Sequence, residues 1–195
     1  VTGVARRHSP TLMVVVIAYL VFIFLGIPDG MLGIAWPSMR GGFGLALGQM
    51  GVLLTASTAG FLITSFSAGR LITVLGVSRL LIITTILRGL ALIGMGLAPS
   101  WPALVAAFLV FGLASGGIDA GLNTYFAMNF SPRLMNWLHE SYGLGATLGP
   151  ILMTVLLSME VAWRWGYIVV GLLQAALALL IFIRADAWEL RSATH

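Results

Sequence analysis

Six long apolar segments dominate the 195-residue sequence, and they limit most strongly what the chain can fold into. A bilayer core about 30 Å thick takes roughly 20 mostly apolar residues per helix, so the chain is long enough for about six crossings. Each segment is too long for a strand, and inside lipid the backbone must bond within its own segment, which predicts helices. The predicted spans are residues 11–36, 48–68, 80–98, 102–128, 137–158 and 165–183.

The composition agrees with a membrane protein and excludes several other classes. Hydrophobic residues make up 59% of the chain and charged residues only 8%, whereas soluble domains carry roughly a quarter charged residues. All ten basic residues are scattered arginines, which gives nucleic acid no basic patch to bind. With no cysteine and no cluster of ligand-type side chains, the sequence predicts neither a metal site nor a cofactor.

The placement of the arginines predicts the orientation of the chain. Short cytoplasmic segments retain positive charge, so the bias favours cytoplasmic tails at residues 1–10 and 184–195. The sequence therefore predicts one six-helix bundle that crosses the cell (inner or plasma) membrane several times, with both termini in the cytoplasm. The predicted cytoplasmic arginines are Arg6, Arg7, Arg70, Arg79, Arg133, Arg184 and Arg191, and the outer ones are Arg40 and Arg164.

Many of the 24 glycines lie inside the spans at helical spacing. Small residues four apart allow two helix backbones to approach closely in lipid. This pattern predicts tight helix packing and does not by itself identify a function. The residues concerned are Gly112 and Gly116, Gly117 and Gly121, and Gly145 and Gly149 followed by Pro150, with Ala56 and Gly60 as a weaker case.

Three ionisable side chains fall within the spans, where a central charge costs about 2.5 to 3.5 kcal/mol. Arg88 and Asp119 lie at depths that allow an ion pair between the third and fourth spans, a purely structural role. Asp29 has no basic residue at its own depth, so it is the better candidate for binding and releasing a proton. The alternative for Asp29 is to cap the backbone that Pro28 leaves unbonded.

The two acids occupy corresponding positions in spans that run in opposite directions. Asp29 lies just past the centre of the first span and Asp119 just past the centre of the fourth, and glycine follows both. This repetition predicts that the six helices form two inverted three-helix repeats. Inverted repeats of this kind are an architecture of secondary transporters.

Three segments resemble the major facilitator superfamily, in particular its fucose/proton symporter group. Gly26–Pro37, Gly116–Tyr125 and Asn136–Pro150 resemble the first, fourth and fifth helices of that group. The resemblance implies an all-α membrane protein that is half of a twelve-helix fold. It also implies that Asp29 and Asp119 are cavity carboxylates used for proton coupling and sugar binding.

Further side chains are predicted to share that cavity. Asn123 lies one helical turn after Asp119, so both can point into one space, although Asn123 can equally bond between helices. Arg88 is assigned to the same region because of its depth. Tyr125 is a candidate for stacking on a sugar, with an interfacial anchor as the alternative.

A cytoplasmic gate is predicted at the connection between the second and third spans, although its signature is incomplete. Thr73 stands where the superfamily has aspartate, and Glu140 is a candidate replacement that can pair with a cytoplasmic arginine. His139 beside it is interpreted as an interfacial residue or a proton relay. The signature residues that are present are Gly69, Arg70, Gly76 and Arg79, of which the arginines can also be simple topology anchors.

The predicted function is proton-coupled uptake of a sugar or similar small polar solute by half of a secondary transporter. Its partners are the bilayer, protons, the solute and a second six-helix half, which is a missing C-terminal half, a separate chain or a homodimer copy. The alternatives are a proton-driven exporter of amphipathic compounds and a half-bundle that transports nothing. A cavity lined by carboxylate, asparagine and aromatic edges favours the sugar, whereas one lined chiefly by Met, Phe and Leu favours export. An intramembrane serine protease built on Ser115 is disfavoured, because the last span offers no histidine base, so no enzyme is predicted.

Overall fold

The computed structural model describes residues 12–188, apart from the side chains of residues 186 and 187, and this part of the chain is helical. Within it, five helices are apolar and long enough to cross a membrane. Both predicted tails fall largely outside the described residues. The helices are α1 (Leu12–Phe43), α2 (Met50–Leu97), α3 (Trp101–Asn129), α4 (Pro132–Ser158) and α5 (Trp163–Ile183), with short 3-10 turns at Leu47–Gln49 and Ala185–Trp188.

Helix α2 is interrupted at Gly76. Its 48 residues would extend about 72 Å as one straight helix, more than twice the thickness of a bilayer core. Gly76 has φ 75° and ψ 162°, a conformation that is strained for any residue with a side chain. We refer to residues 50–75 as α2a and to residues 77–97 as α2b.

The two limbs of α2 lie side by side. Thr64 of α2a and Thr84 of α2b both lie next to Gly117 of α3. These threonines would be about 30 Å apart in a straight helix, so the chain reverses direction at Gly76. The predicted connection at residues 69–79 is therefore helical on both sides of a one-residue break.

The first helix also extends beyond its predicted limit. The predicted span ends at residue 36, but α1 continues through Pro37 to Phe43. Apolarity set the predicted limit, whereas helical backbone continues wherever its hydrogen bonds are satisfied, including beyond the bilayer core.

Close glycine contacts join the helices in pairs. A Cβ atom added to Gly145 or Gly149 of α4 would collide with the main chain of α1, at Ile23 and Ile27 respectively. Glycines of α1 approach α4 in the same way, since Gly30 lies against the main chain at Ala146 and the ring of Pro150. The α1–α4 contact is therefore nearly backbone to backbone.

A second close pair consists of α2a and α3, and a third of α2b and α5. Gly112 and Gly116 of α3 lie against the main chain of α2a at Ser57 and Phe61, while Gly89 of α2b faces Gly171 of α5. Gly60 of α2a, the weaker predicted case, lies against the α3 main chain at Leu109, while Gly117 and Gly121 of α3 contact side chains of α2b, namely Thr84 and Leu81.

Two apolar clusters fill the two ends of the bundle. One joins the start of α1 to the end of α3 and the start of α2b, and we call this the Gly76 end. The other joins the end of α1 to the end of α2b and the start of α5, and we call this the Arg164 end. Asp29, Arg88 and Ser115 lie at the level between these two clusters.

Candidate functional site

A cavity of about 470 Å³ opens between α1, α2a, α3 and α4. Asp29 of α1 and Asp119 of α3 both line it, although 90 positions separate them in the sequence. The lining also includes Phe22, Leu25, Pro28, Leu32, Leu54, Ser57, Thr58, Phe61, Met95, Phe108, Phe111, Ser115, His139, Tyr142 and Tyr167.

Asp29 is bonded across the close α1–α4 contact. The hydroxyl of Tyr142 on α4 donates to Oδ2 of Asp29 at 2.9 Å. Gly26, one turn before Asp29, lies against the main-chain oxygen of Tyr142, so the two helices are near enough for this bond. The Asp29 side chain remains exposed to the cavity, where it can exchange a proton or contact a bound molecule.

The backbone beside Asp29 is interrupted by Pro28, which lies inside α1. Proline has no N–H, so it leaves the carbonyl oxygen of Phe24, four residues earlier, without its helical donor. Arg88 of α2b supplies donors there: Nη1 bonds to the Phe24 oxygen at 2.8 Å and Nη2 to the Leu25 oxygen at 2.7 Å.

The rest of the Arg88 side chain is also engaged. Its Nε donates to the Ser115 hydroxyl oxygen at 3.0 Å, and its guanidinium carbon lies 4.5 Å from the centroid of the Phe111 ring. The side chain is fully buried. None of its described hydrogen bonds goes to Asp119, so the pairing that depth allowed is not formed, and Arg88 lies instead within electrostatic range of Asp29.

Asp119 has different surroundings. It is half-buried in the unbroken helix α3, and its electrostatic neighbours are the amide of Asn123 one turn later and His139 of α4. His139 packs edge-on against Phe22, with ring centroids 5.7 Å apart. Asp119 is therefore held by its own helix and a cavity-wall histidine, without a described bond to another helix.

The cavity changes character along its length. Asp119 and His139 lie nearest the Gly76 end, and Asp29, Tyr142 and Ser115 lie at its middle. Toward the Arg164 end the lining is Leu32, Leu54, Met95, Phe108, Phe111 and Tyr167, with the hydroxyls of Ser57 and Thr58 beside them. Apolar side chains, Phe22 and Leu25, also line the cavity toward the Gly76 end.

Comparison with known proteins assigns the chain to a family. The sequence profile of the Major Facilitator Superfamily matches residues 18–193, which is most of the chain. The chain belongs to this superfamily of membrane transporters. Membership supports transport and leaves the finer fucose/proton symporter grouping unassigned.

The curated relatives of this major facilitator chain are fungal. It is 34% identical over 107 residues to an MFS-type transporter, GME11371, of Pestalotiopsis microspora, a match that covers 51% of this chain and 19% of the relative. It is 32% identical over 94 residues to the MFS-type transporter grgE of a Penicillium species, covering 45% and 16%. It is 26% identical over 98 residues to the efflux pump DEP3 of Alternaria brassicicola, covering 48% and 17%. The chain thus matches less than a fifth of the length of each relative.

Three residues predicted for the cavity of this major facilitator chain lie outside its lining: Arg88, Asn123 and Tyr125. Arg88 is fully buried and bonds the backbone of α1 instead. Asn123 is beside Asp119, but it sits further toward the Gly76 end, and its Oδ1 is buried with no hydrogen-bond partner in the described structure. Tyr125 is buried in the apolar cluster of that end, where its ring centroid lies 5.2 Å from that of Trp188. Asn123 therefore extends the polar surroundings of Asp119, whereas Tyr125 contributes to the core.

The predicted gate residues lie at the Gly76 end and are not joined by any described hydrogen bond. Gly69, Arg70, Gly76 and Arg79 are exposed on either side of the break in α2. Thr73, which stands at the position of the missing aspartate, donates to the Gly69 oxygen of its own helix at 2.8 Å. Glu140 is exposed on α4, which makes no extensive contact with α2.

Neither a metal site nor a hydrolase site is assembled among the described residues. No group of three or more metal-ligating side chains occurs within them. The Ser115 hydroxyl donates to the Phe111 oxygen of its own helix at 2.8 Å and accepts from Arg88, so its described bonds involve no histidine. Ser115 therefore acts here as a partner of Arg88.

Sequence reasoning undervalued the side chains that α4 contributes. His139 was interpreted as an interfacial residue or a proton relay, yet it lines the cavity together with Tyr142 of the same helix. Their spacing of three residues places them on one helix face, as does the spacing of four between Ser115 and Asp119. That shared periodicity is the signal that could have grouped them.

Proposed function

We propose that this chain forms one six-helix half of a proton-coupled secondary transporter that works by alternating access. The observation that carries the proposal is the presence of two carboxylates, Asp29 and Asp119, in one accessible cavity between membrane helices. Acids at membrane depth are costly and are retained where they bind protons, ions or substrate. In this proposal α2a and α2b each cross the membrane once, which gives six crossings.

The pairing of the helices supports two inverted three-helix repeats. With α2a and α2b counted separately, exchanging the first three segments with the last three turns the α1–α4 contact into the contact between α3 and α2a. Both of these contacts are close and contain glycine, and the same exchange turns the α2b–α5 contact into itself. Under this exchange Gly26 and Gly30 of α1 correspond to Gly112 and Gly116 of α3, so Asp29 corresponds to Ser115 and Asp119 lies one helical turn further along.

Alternating access requires a second body for this bundle to move against, with a site near the midplane. The segments that border the cavity carry exposed apolar side chains, for example Phe66 of α2a and Leu144 of α4, which are 88% and 52% exposed. We propose that a second six-helix half covers this face. Protonation of an acid removes its charge and its need for polar surroundings, and so changes which arrangement of the two halves is favoured.

The orientation proposed here places the Gly76 end in the cytoplasm of a cell that carries the transporter in its plasma or inner membrane. Among the described residues, that end holds four exposed arginines, whereas the opposite end holds Arg40 and Arg164. Positive charge is retained on the cytoplasmic side. The arginines of the Gly76 end are Arg70, Arg79, Arg133 and Arg184.

The mixed lining of the cavity supports an amphipathic substrate. Phenylalanine, leucine and methionine supply eight of its 17 lining residues, and the two carboxylates and several hydroxyls supply polar groups beside them. A molecule with both polar and apolar parts matches this mixture. Efflux is also the activity named for one relative, DEP3. Uptake of a small polar solute remains the second candidate, because Asp29, Tyr142 and Asp119 provide the hydrogen-bonding groups that a sugar needs.

Transport of protons with substrate is the decisive test of the general proposal. The full-length transporter would be reconstituted in liposomes with a pH-sensitive dye inside, and pH would be recorded after substrate addition. We expect Asp29→Asn to abolish the pH change that substrate drives, and Asp119→Asn to reduce it at substrate concentrations below the KM. Unchanged pH traces in both variants would contradict the coupling role.

The substrate class can be tested in the same liposomes. We expect a proton gradient to drive movement of an amphipathic aromatic cation such as ethidium, and not of a neutral monosaccharide such as fucose. Replacing Phe108 by Ala removes apolar lining without touching either acid, and should weaken ethidium transport only. Gradient-driven movement of fucose without ethidium would assign the second candidate instead.

A further inference from the structure

The contact between Arg88 and α1 repairs the helix at its proline. In an uninterrupted helix the N–H of residue 28 would bond to the Phe24 oxygen, and Pro28 has no N–H. The Arg88 guanidinium takes that place and also bonds the next carbonyl oxygen, that of Leu25, at 2.7 Å. A side chain of α2b thus supplies the donor that α1 lacks, immediately before Asp29.

We propose that Arg88 is the positioning residue for Asp29: by bonding the Phe24 and Leu25 carbonyls it fixes α1 at Pro28 and keeps the Asp29 carboxylate directed at Tyr142. The proposal extends the proposed transport function, in which Asp29 binds the coupling proton. Arg88 acts through the backbone and is not itself a group that must touch substrate.

The chemistry of the guanidinium suits this role better than an ion pair does. Arginine presents its donors in a rigid planar fork, and two parallel N–H groups can serve two neighbouring oxygens. Nη1 and Nη2 serve successive carbonyl oxygens of α1, while Nε is bonded to Ser115. None of these described bonds uses a carboxylate. Arg88 therefore keeps them whether Asp29 is charged or neutral, and Asp29 can exchange its proton without losing its place.

The charged and titratable groups around Asp29 determine what a pH experiment on it reports. Arg88 and Tyr142 act on it directly, and Tyr167 of α5 is within electrostatic range. Across the cavity stand Asp119 of α3 and His139 of α4, whereas α2a contributes only the neutral hydroxyls of Ser57 and Thr58. A test of positioning must therefore change the geometry of Arg88 while retaining its charge.

The test uses the chain in lipid nanodiscs and requires no transport. Dicyclohexylcarbodiimide modifies protonated carboxyl groups. Mass spectrometry of the chain labelled at pH values from about 4 to about 9, a range that brackets the titration of the acids, gives a labelling midpoint for each carboxylate. Arg88→Lys retains the charge but loses the fork. We expect it to shift the Asp29 midpoint by about one pH unit or more and to leave the Asp119 midpoint unchanged.

Pro28→Ala provides the rescue, because it restores the N–H that Arg88 replaces. We expect the double variant Arg88→Lys with Pro28→Ala to have the Asp29 midpoint of Pro28→Ala alone. Arg164→Lys is the matched control, since Arg164 also donates to two main-chain oxygens, those of Gly96 and Ala98, far from Asp29. It should leave the Asp29 midpoint unchanged.

Each outcome decides the proposal. An unchanged Asp29 midpoint in Arg88→Lys, or a shift that Pro28→Ala does not remove, overturns it. If Arg88→Lys fails to fold but the double variant folds, the proline is the reason that the arginine is needed, which supports it. If neither folds, Arg88 is required independently of Pro28 and the proposal fails. Labelling is independent of transport, so failure of the transport proposal would appear separately in the liposome assay.

Discussion

Asp29 and Asp119 share one cavity but are held in contrasting ways. Asp29 follows a proline break and accepts a hydrogen bond from α4. A side chain of α2b donates to the backbone just before it. Asp119 lies within an unbroken helix beside Asn123 of that same helix. The environment of Asp29 thus depends on the relative position of three helical segments, whereas that of Asp119 depends mainly on α3. We therefore expect Asp29 to connect protonation to helix movement and Asp119 to act mainly on the bound molecule.

The largest expected effect is a difference between the asparagine variants of the two acids. Asp29→Asn should leave substrate bound but eliminate its control by the proton gradient, because the group tied to helix position no longer changes charge. Asp119→Asn should instead raise the KM for transport about tenfold, the result of losing one charged hydrogen bond. KM and proton flux measured together in liposomes check this, and identical profiles for the two variants would remove the distinction.

The next effect concerns the bond between Tyr142 and Asp29. Tyr142→Phe deletes one hydroxyl, and a hydrogen bond to a charged group contributes roughly 1.5 to 3 kcal/mol. We expect at least about a tenfold loss of proton-coupled transport rate. Tyr19→Phe is the matched control, since it removes a 3.1 Å hydroxyl bond from α1 to Leu134 of α4, away from Asp29. Equal losses in the two variants would mean that helix association, and not Asp29, is responsible.

Disrupting the close contact between α1 and α4 should affect the function of Asp29 more than that of Asp119. Gly145→Ala places a methyl group against the Ile23 main chain, and we expect it to destabilise the bundle by about 1 to 3 kcal/mol and to weaken coupling. Gly143→Ala, two residues away with nothing within 4 Å, should have little effect. Thermal unfolding in detergent together with proton flux measures both, and a stable, fully coupled Gly145→Ala variant would contradict the importance of this contact.

The smallest effect is expected at His139. His139 lines the cavity and lies within electrostatic range of Asp119. His139→Gln should weaken substrate binding by about threefold, the size expected for an exposed electrostatic interaction. Glu140→Gln, at the neighbouring exposed position outside the cavity lining, is the matched control. Substrate binding measured for both variants checks this, and an equal loss in the two would argue against a role of His139.

Hydropathy predicted most of the helical architecture, because burying apolar segments in lipid leaves the backbone few alternatives. It placed a connection at residues 69–79, where Arg70 and Arg79 reduce the apolarity, but the structure continues as helix with a single break at Gly76. Charge marks where a helix leaves the bilayer core. It does not mark where helical hydrogen bonding stops, and here one glycine with positive φ decides that.

The candidate site could be predicted only in part, because a sequence indicates how deep in the membrane a side chain lies more readily than which neighbouring helix it faces. Asp29 and Asp119 were identified from their cost in lipid, and both line the cavity. Arg88 matched the depth of Asp119, yet its face of α2b turns toward α1, and the carbonyl oxygen freed by Pro28 became its partner. The sequence shows that Pro28 leaves the Phe24 carbonyl oxygen without a donor, but it does not show which helix supplies one.

The one-residue break at Gly76 has a consequence for how the two limbs of α2 can move. The stretch Leu47–Leu97 is helical apart from this point, so no flexible linker separates the limbs at this end. A displacement of α2a at the Gly76 end should therefore be transmitted directly to α2b. A side chain placed at Gly76 would strain the turn through which that displacement passes.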